Sequence, residues 1–256
     1  MSNVFTILPI VASAGSLPTI PPADIDYFVD YELDAREHWI FGGAAASLVG
    51  LKSAGALVPQ ATDHSFTANS VILNSTYNHG LVSSIADAAE QTMVVVVKRV
   101  DYTAAAKAQI MCGTLVSSGV DLLGSGIYGN NVDNKVLFNQ RPQTDQMKTS
   151  FPVGLDVGEY AFIAFSEKAP AATPRSVLSY IGGGTVTSIV GPVQKNIATR
   201  NLAVGNAYYN NAGFSGGPEM EVAEFIVYDR ALSAAEMVAL YAKRKAILAK
   251  RGVFVS

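Results

Sequence analysis

Apolar residues recur along this chain in short runs separated by Gly, Pro, Asn and Asp, and the spacing inside most runs is that of a strand. Tyr27, Val29, Tyr31 and Leu33 alternate with Phe28, Asp30, Glu32 and Asp34, which predicts a half-buried strand. Trp39-Ile40-Phe41, Ser47 to Leu51, Ala56-Leu57-Val58 and Ser70 to Leu73 follow closely, and such dense short runs predict a sandwich or barrel. Met93 to Val97 is unbroken and largely β-branched, as expected of a central strand covered on both faces. Further strands are predicted at Ile110 to Leu115, Val120 to Leu123, Val136 to Phe138, Tyr160 to Ser166 and Val177 to Ile181. Gly182-Gly183-Gly184 supplies the positive φ angles for a hairpin into Val186 to Val190, and Asn201 to Val204 and Met220 to Tyr228 complete the set.

One helix is legible. Ser233-Ala234-Ala235-Glu236 reads as a capping box, in which the serine oxygen accepts an amide of the first turn and the glutamate reaches back. Met237, Leu240, Tyr241, Ile247 and Leu248 then recur at helical spacing and Gly252 is placed to end the helix, giving a span of about 233–251. At the other end, residues 1–23 carry no charge and contain Pro9, Pro18, Pro21 and Pro22, so they read as an extended arm before a domain spanning 24–256. Val4, Phe5, Ile7, Leu8, Ile10, Leu17 and Ile20 give that arm an apolar surface suited to lying on the body or on another subunit.

Composition agrees with one large core: 49% of the 256 residues are hydrophobic and 15% charged, and this length is common for a single β-sandwich. A net charge of -3 provides no basic field for nucleic acid or anionic lipid. The charge is uneven, however. Asp24, Asp26, Asp30, Glu32, Asp34 and Glu37 gather near one end and Lys243, Arg244, Lys245, Lys250 and Arg251 near the other, as solvated faces or as a contact between the two. Cys112 is the only cysteine, so an intrachain disulfide is excluded, and His38, His64 and His79 show no metal-ligand spacing. Val4 to Ala14 makes a poor signal peptide, because no Lys or Arg precedes Arg36 and Pro9 interrupts the apolar run. No run approaches the roughly 20 apolar residues of a membrane helix.

Val222-Ala223-Glu224-Phe225-Ile226-Val227-Tyr228-Asp229-Arg230-Ala231-Leu232-Ser233, followed by Glu236, resembles the closing strand and helix of laminin-G-like, concanavalin-type jelly rolls. Arg200 to Asn206, Gly213 to Gly217 and Thr92 to Lys98 are similar to that family's penultimate strand, Gly-rich turn and core strand. The resemblance implies an all-β jelly-roll sandwich of two antiparallel sheets whose faces or edge loops bind glycans or proteins. With its uncharged arm, the chain also resembles jelly-roll proteins of tailed-bacteriophage particles.

Three motifs could carry chemistry. Laminarinase-type glycosidases share this fold and place Glu-x-Asp-x-x-Glu on a bulged strand, with two carboxylates about 5 Å apart as nucleophile and acid/base. Glu219 and Glu224 would be that pair here. Against it, Glu221 stands where the family has Asp, the motif lies near the C-terminus, and Trp39 is the only tryptophan available to line sugar subsites. Gly213-Phe214-Ser215-Gly216-Gly217 matches a nucleophile elbow in letters, but Pro218 and a strand follow in place of a helix, and no histidine lies beyond residue 79. Gly124-Ser125-Gly126-Ile127-Tyr128-Gly129 matches a dinucleotide fingerprint but runs into Asn130-Asn131-Val132-Asp133-Asn134, which is loop chemistry.

Two Asn/Tyr loops remain as glycan or partner contacts: Tyr128, Asn130, Asn131 and Asp133 in one, and Tyr208, Tyr209, Asn210 and Asn211 in the other. Amides hydrogen-bond hydroxyls and aromatic faces cover the apolar side of a sugar, while the same residues also simply make turns. No cofactor is expected; Asp121 or Asp133 could contribute to a calcium site, though no compact ligand spacing supports one. The first functional expectation is a non-catalytic virion component, a bacteriophage capsid-decoration, tail or fibre protein made in the host cytoplasm. Its partners would be its own subunits, other virion proteins and a cell-surface glycan, without nucleic acid or membrane insertion. A free-standing, extracellular lectin-like domain is the second expectation, and a glycanase using Glu219 and Glu224 the third.

Overall fold

The computed structural model describes residues 31–104, 106–116, 123–141, 147–168, 175–191 and 195–255. The chain divides into a unit Met1–Asp30 and a unit Tyr31–Ser256. The arm residues Val4, Phe5, Ile7, Leu8, Ile10, Leu17 and Ile20 lie outside the described residues, as do residues 27–30 of the first predicted strand and residues 120–122 of the strand predicted at Val120 to Leu123.

Fifteen strands are defined among the described residues. In chain order they are β1 (Glu37–Ile40), β2 (Val58–Pro59), β3 (Ser65–Phe66), β4 (Val71–Leu73), β5 (Leu81–Ala86), β6 (Glu90–Lys98), β7 (Gln109–Gly113) and β8 (Ser125–Gly129). They continue with β9 (Val136–Gln140), β10 (Met147–Thr149), β11 (Tyr160–Lys168), β12 (Arg175–Ile181), β13 (Thr187–Gly191), β14 (Asn201–Val204) and β15 (Met220–Tyr228), and α1 (Ala234–Lys250) closes the domain. One sheet runs β13-β12-β11-β6-β15-β4-β3 with β1 also paired to β15; the other runs β10-β9-β8-β7-β14-β5-β2. Every strand pair among the described residues is antiparallel, so the predicted all-β jelly-roll sandwich with one C-terminal helix is the observed architecture.

The period of two decides which side chains meet which layer. Met93, Val95 and Val97 of β6 face the second sheet and join Trp39, Phe165, Phe225, Ile127, Phe138 and Leu202 in the main core. Val94 and Val96 face the opposite way, against Met237, Leu240 and Leu248 of α1. Covering both faces is why this strand could be written as an unbroken apolar run. The capping box is formed as expected: Ser233 Oγ accepts from the Glu236 amide at 3.3 Å, and Glu236 accepts from the Ser233 amide at 2.7 Å. Ser233→Ala is expected to cost about 1 kcal/mol, read as a lower urea midpoint at unchanged slope.

Two predicted strands are corrected. Ser47 to Leu51 is not a strand; Ala45–Leu48 forms a 3-10 turn in which Ser47 Oγ donates to the Ala44 carbonyl at 2.7 Å, and only Val49 bridges to Ala56. Tyr31 to Leu33 is irregular and its parity is inverted: Glu32 is buried and Leu33 is 56% exposed. The cause is electrostatic, since Glu32 turns inward to Lys243 (3.0 Å) and Arg244 (3.2 Å), joining the acidic and basic ends of the sequence. Strands β3, β5, β8 and β10 were not predicted.

Candidate functional site

On the outward side of the second sheet, hydrogen-bonded neighbours Ile110, Tyr128 and Leu137 form one row across β7, β8 and β9. With Ala108 and Leu115 they make a small apolar cluster apart from the main core. An apolar row on an outward face needs a cover, and the connection from β14 to β15 supplies it. Phe214 sits 5.2 Å from the Tyr128 ring and 4.6 Å from the Tyr209 ring, both edge-on, so the two predicted loops converge on one phenyl group.

Each loop is held by its own polar residues. Asn130 donates to the Asp133 carboxylate and its amide pairs with the Lys135 carbonyl at 2.8 Å, closing a turn that passes through left-handed Asn134 (φ 51°). Asn131 Nδ2 donates to the Ala106 carbonyl at 3.0 Å. Partial burial would raise the Asp133 carboxyl, but the Asn130 hydrogen bond and the cations of Lys148 (3.6 Å) and Lys135 (3.8 Å) hold it below its ordinary value. In the second loop the buried Asn206 side chain clasps both the amide and the carbonyl of Tyr209, at 3.0 and 3.2 Å. Asn211 Oδ1 accepts from the Gly213 amide at 2.8 Å, and the Gly213 carbonyl accepts from Ala108 at 2.9 Å, which ties the Gly-rich turn to β7. Lys107 Nζ donates to the Ser215 carbonyl at 2.6 Å.

The structure therefore sorts the predicted site residues. Tyr128 and Asn130 are corrected from exposed loop contacts to buried supports, 5% and 8% accessible, because Tyr128 lies within β8 under Phe214 and Asn130 closes its own turn. Tyr208 points elsewhere: its hydroxyl donates to the Asn201 carbonyl at 2.9 Å and the Arg200 guanidinium lies 5.0 Å from its ring centre. Asn131, Asp133, Tyr209, Asn210 and Asn211 remain at least partly accessible, joined by Val132 at 79%. Sequence reasoning missed Phe214 as the cap and Asn206 as the clasp, although the first lay inside a motif already weighed. The rim offers amide and carboxylate groups above half-buried aromatic rings, a surface for hydrogen-bonding polyhydroxyl ligands.

The other motifs resolve differently. β15 carries a bulge between Val222 and Glu224, so Ala223 and Glu224 both turn toward the helix layer. Glu224 is fully buried, paired with the Arg244 guanidinium through two hydrogen bonds and 3.4 Å from His38 Nε2. Glu221 is bound by Ser70 (2.8 Å), Lys98 (2.9 Å) and Tyr160 (2.5 Å), which hold its carboxyl below the ordinary value against the opposing effect of burial. Glu219 is exposed ahead of the strand. Ser215 Oγ accepts from the Tyr77 amide at 3.1 Å, while His79 Nδ1 pairs with Asp63 at 2.8 Å, and no hydrogen bond joins Ser215 to that pair. Gly124 to Gly129 is the whole of β8 with the residue before it, and it runs on to β9 and not into a helix. Of the two acids weighed for calcium, Asp121 lies outside the described residues and Asp133 faces two lysines. Two grooves, of about 420 and 230 Å³, lie away from the rim, the larger lined by Asp34, Arg36, Lys52, Ser53, Asp229 and Arg230.

Neither a family model nor a curated protein matches the sequence. Solved structures do match in fold. The botulinum neurotoxin serotype G binding domain superposes with a TM-score of 0.60 at 11% identity over 83% of this chain and 51% of that one. The serotype D ligand binding domain, solved in complex with N-acetylneuraminic acid, gives 0.57 at 10% identity over 82% of this chain and 51% of that one. A Trypanosoma rangeli sialidase in complex with sialic acid gives 0.57 at 12% identity over 90% of this chain and 36% of that one. The chain thus spans about half the length of the neurotoxin domains, and identities this low establish the sandwich fold alone.

Proposed function

We propose that this domain is a non-catalytic recognition module of a virus particle of the bacteriophage type, and that it binds a glycan or glycosylated receptor at the rim formed by residues 131–133 and 209–214. The observation that carries the reading is a shared anchor: two Asn/Tyr loops about 80 positions apart are both tied to residues 106–108, Asn131 through the Ala106 carbonyl and the Gly-rich turn through the Ala108 amide and Lys107, while Phe214 packs on Tyr128 and Tyr209. The sialic acid complexes of the serotype D domain and the sialidase support glycan as the ligand class. The virion context rests on the likeness to phage jelly-roll proteins and on the uncharged arm. Support for a non-catalytic role comes from Glu224, whose burial against Arg244 leaves it unable to act with exposed Glu219 on a substrate.

Glycan-array screening of the full chain is expected to give selective binding, and Asn210→Ala should weaken it about threefold, the loss of one hydrogen bond of roughly 0.7 kcal/mol. This substitution leaves the Phe214 cap and the Asn131 anchor on Ala106 in place. Absence of binding to any sugar at millimolar concentration, or glycan cleavage that Glu219→Gln abolishes, would refute the reading. Antibody labelling of particles from the native source tests the virion placement, and deletion of residues 1–23 should prevent incorporation while sparing sugar binding.

A further inference from the structure

A second group of functional side chains is buried between the sheets, where β5 ends and β6 begins, and plays no part in the recognition rim. Lys195 Nζ lies 2.5 Å from Asp87 Oδ1 and 3.3 Å from Glu167 Oε2, and all three side chains have no solvent exposure. The two acids are fixed independently of the lysine. Asp87 Oδ2 accepts from the Ala198 amide at 2.8 Å, while Glu167 accepts from Ser125 Oγ at 2.5 Å and Gln140 Nε2 at 2.9 Å. Gln91 Nε2 bridges the acids, 3.1 Å from Asp87 Oδ1 and 3.2 Å from Glu167 Oε1. An amine, a carboxyl electrophile and a second carboxylate are thus held in contact in a site closed to water, the arrangement that proximity and desolvation favour for acyl transfer.

We propose that Lys195 and Asp87 condense to an intramolecular amide bond, with Glu167 as the proton carrier. The Lys195 ammonium first passes a proton to Asp87 Oδ1, giving an uncharged amine beside an uncharged carboxylic acid, the only form in which the amine is a nucleophile. Its lone pair attacks Cγ, and the negative charge that develops on Oδ2 meets the Ala198 N–H. The surplus proton on nitrogen moves to Glu167 and from there to the departing hydroxyl, so that the Cγ–Oδ1 bond breaks, one water leaves and Glu167 is regenerated. No oxidant, metal or cofactor enters the balance. The bond would join residues 108 positions apart in a chain whose single cysteine cannot form an internal disulfide, a fitting device for a protein exposed on a particle.

Intact-mass spectrometry of the purified full chain tests this directly, with the amino terminus fixed by peptide mapping of the same sample. The folded protein is expected to be one water lighter than its sequence, and digestion should yield a branched peptide joining Asp87 to Lys195 that survives boiling in denaturant. Glu167→Gln should remain at full mass while keeping its β-sheet circular dichroism, and Lys195→Arg should do the same. A folded wild-type protein at full sequence mass overturns the proposal, as does a branch that maps to Glu167. Water loss persisting in Glu167→Gln overturns the role given to that residue. The wild-type mass decides the existence of the bond whether or not either variant folds.

Discussion

Arg244→Met is expected to lower the unfolding free energy by about 3–5 kcal/mol, the usual cost of removing one partner from a buried ion pair. Arg244 projects from α1 with no solvent exposure and binds Glu224 of β15 through Nε and a terminal nitrogen, and Glu32 at 3.2 Å. Without it two carboxylates would remain in a nearly dry layer, one of them fully buried. Guanidinium denaturation of the wild type, Arg244→Met, Glu224→Gln and the double variant should show the double variant recovering much of the loss, because neutral groups then replace the charges together. Additive losses would mean that the pair contributes no coupling to the helix–sheet contact.

The same cluster predicts an acid dependence. His38 accepts the Glu32 amide on Nδ1 at 3.0 Å, so its proton sits on Nε2 toward Glu224; burial lowers its affinity for a second proton, with the nearby Glu224 only partly opposing. The unfolded histidine takes up that proton below its ordinary 6.5 while the folded one resists, so stability declines as pH drops below about 6.5. Burial would raise the Glu224 carboxyl, but the Arg244 charge and the His38 contact bring it below its ordinary 4.5. Its contribution is therefore complete above 4.5 and is lost as pH falls through the lower folded value. Both groups act with the same sign, and Arg244→Met should flatten the lower step.

How much of this was legible follows from where each residue's partner lies. β6 and β15 announced themselves because both are covered on two faces, and α1 because its cap and stripe are local. β5 was missed because Ser83 breaks its apolar period, being buried instead through a hydrogen bond to the Leu202 carbonyl at 2.7 Å. β8 was not predicted because its glycines, which look like turn residues, are packing residues: a Cβ on Gly129 would enter the Tyr102 ring, and one on Gly126 would meet Leu115. The Asn/Tyr loops could be found from composition, yet their common cap, Phe214, is defined only by contacts across about 80 residues. Lys195 was invisible for the same reason, since Asp87 and Glu167 lie 108 and 28 positions away.

Trp39→Ala is expected to cost about 3–5 kcal/mol, the range for truncating a large buried aromatic residue. Trp39 is 1% exposed and stacks on its cross-strand partner Phe225 at 5.5 Å with an interplanar angle of 17°. Its indole N–H donates to the Gly55 carbonyl at 3.0 Å, but that carbonyl also accepts from the Gly50 amide at 2.9 Å. Truncation therefore leaves no orphaned acceptor, and the cost comes from the cavity and the lost stack. Trp39→Phe, which keeps an aromatic ring over Phe225, should fall well below the alanine cost. Thermal unfolding followed by circular dichroism suits both variants, since Trp39 is the only tryptophan and its removal silences indole fluorescence. The rim around Phe214 belongs to the other sheet, so the folded fraction of Trp39→Ala should retain the glycan affinity proposed for the wild type. Affinity falling in step with core stability would mean instead that the rim takes its shape from the sandwich interior and not from its own hydrogen bonds.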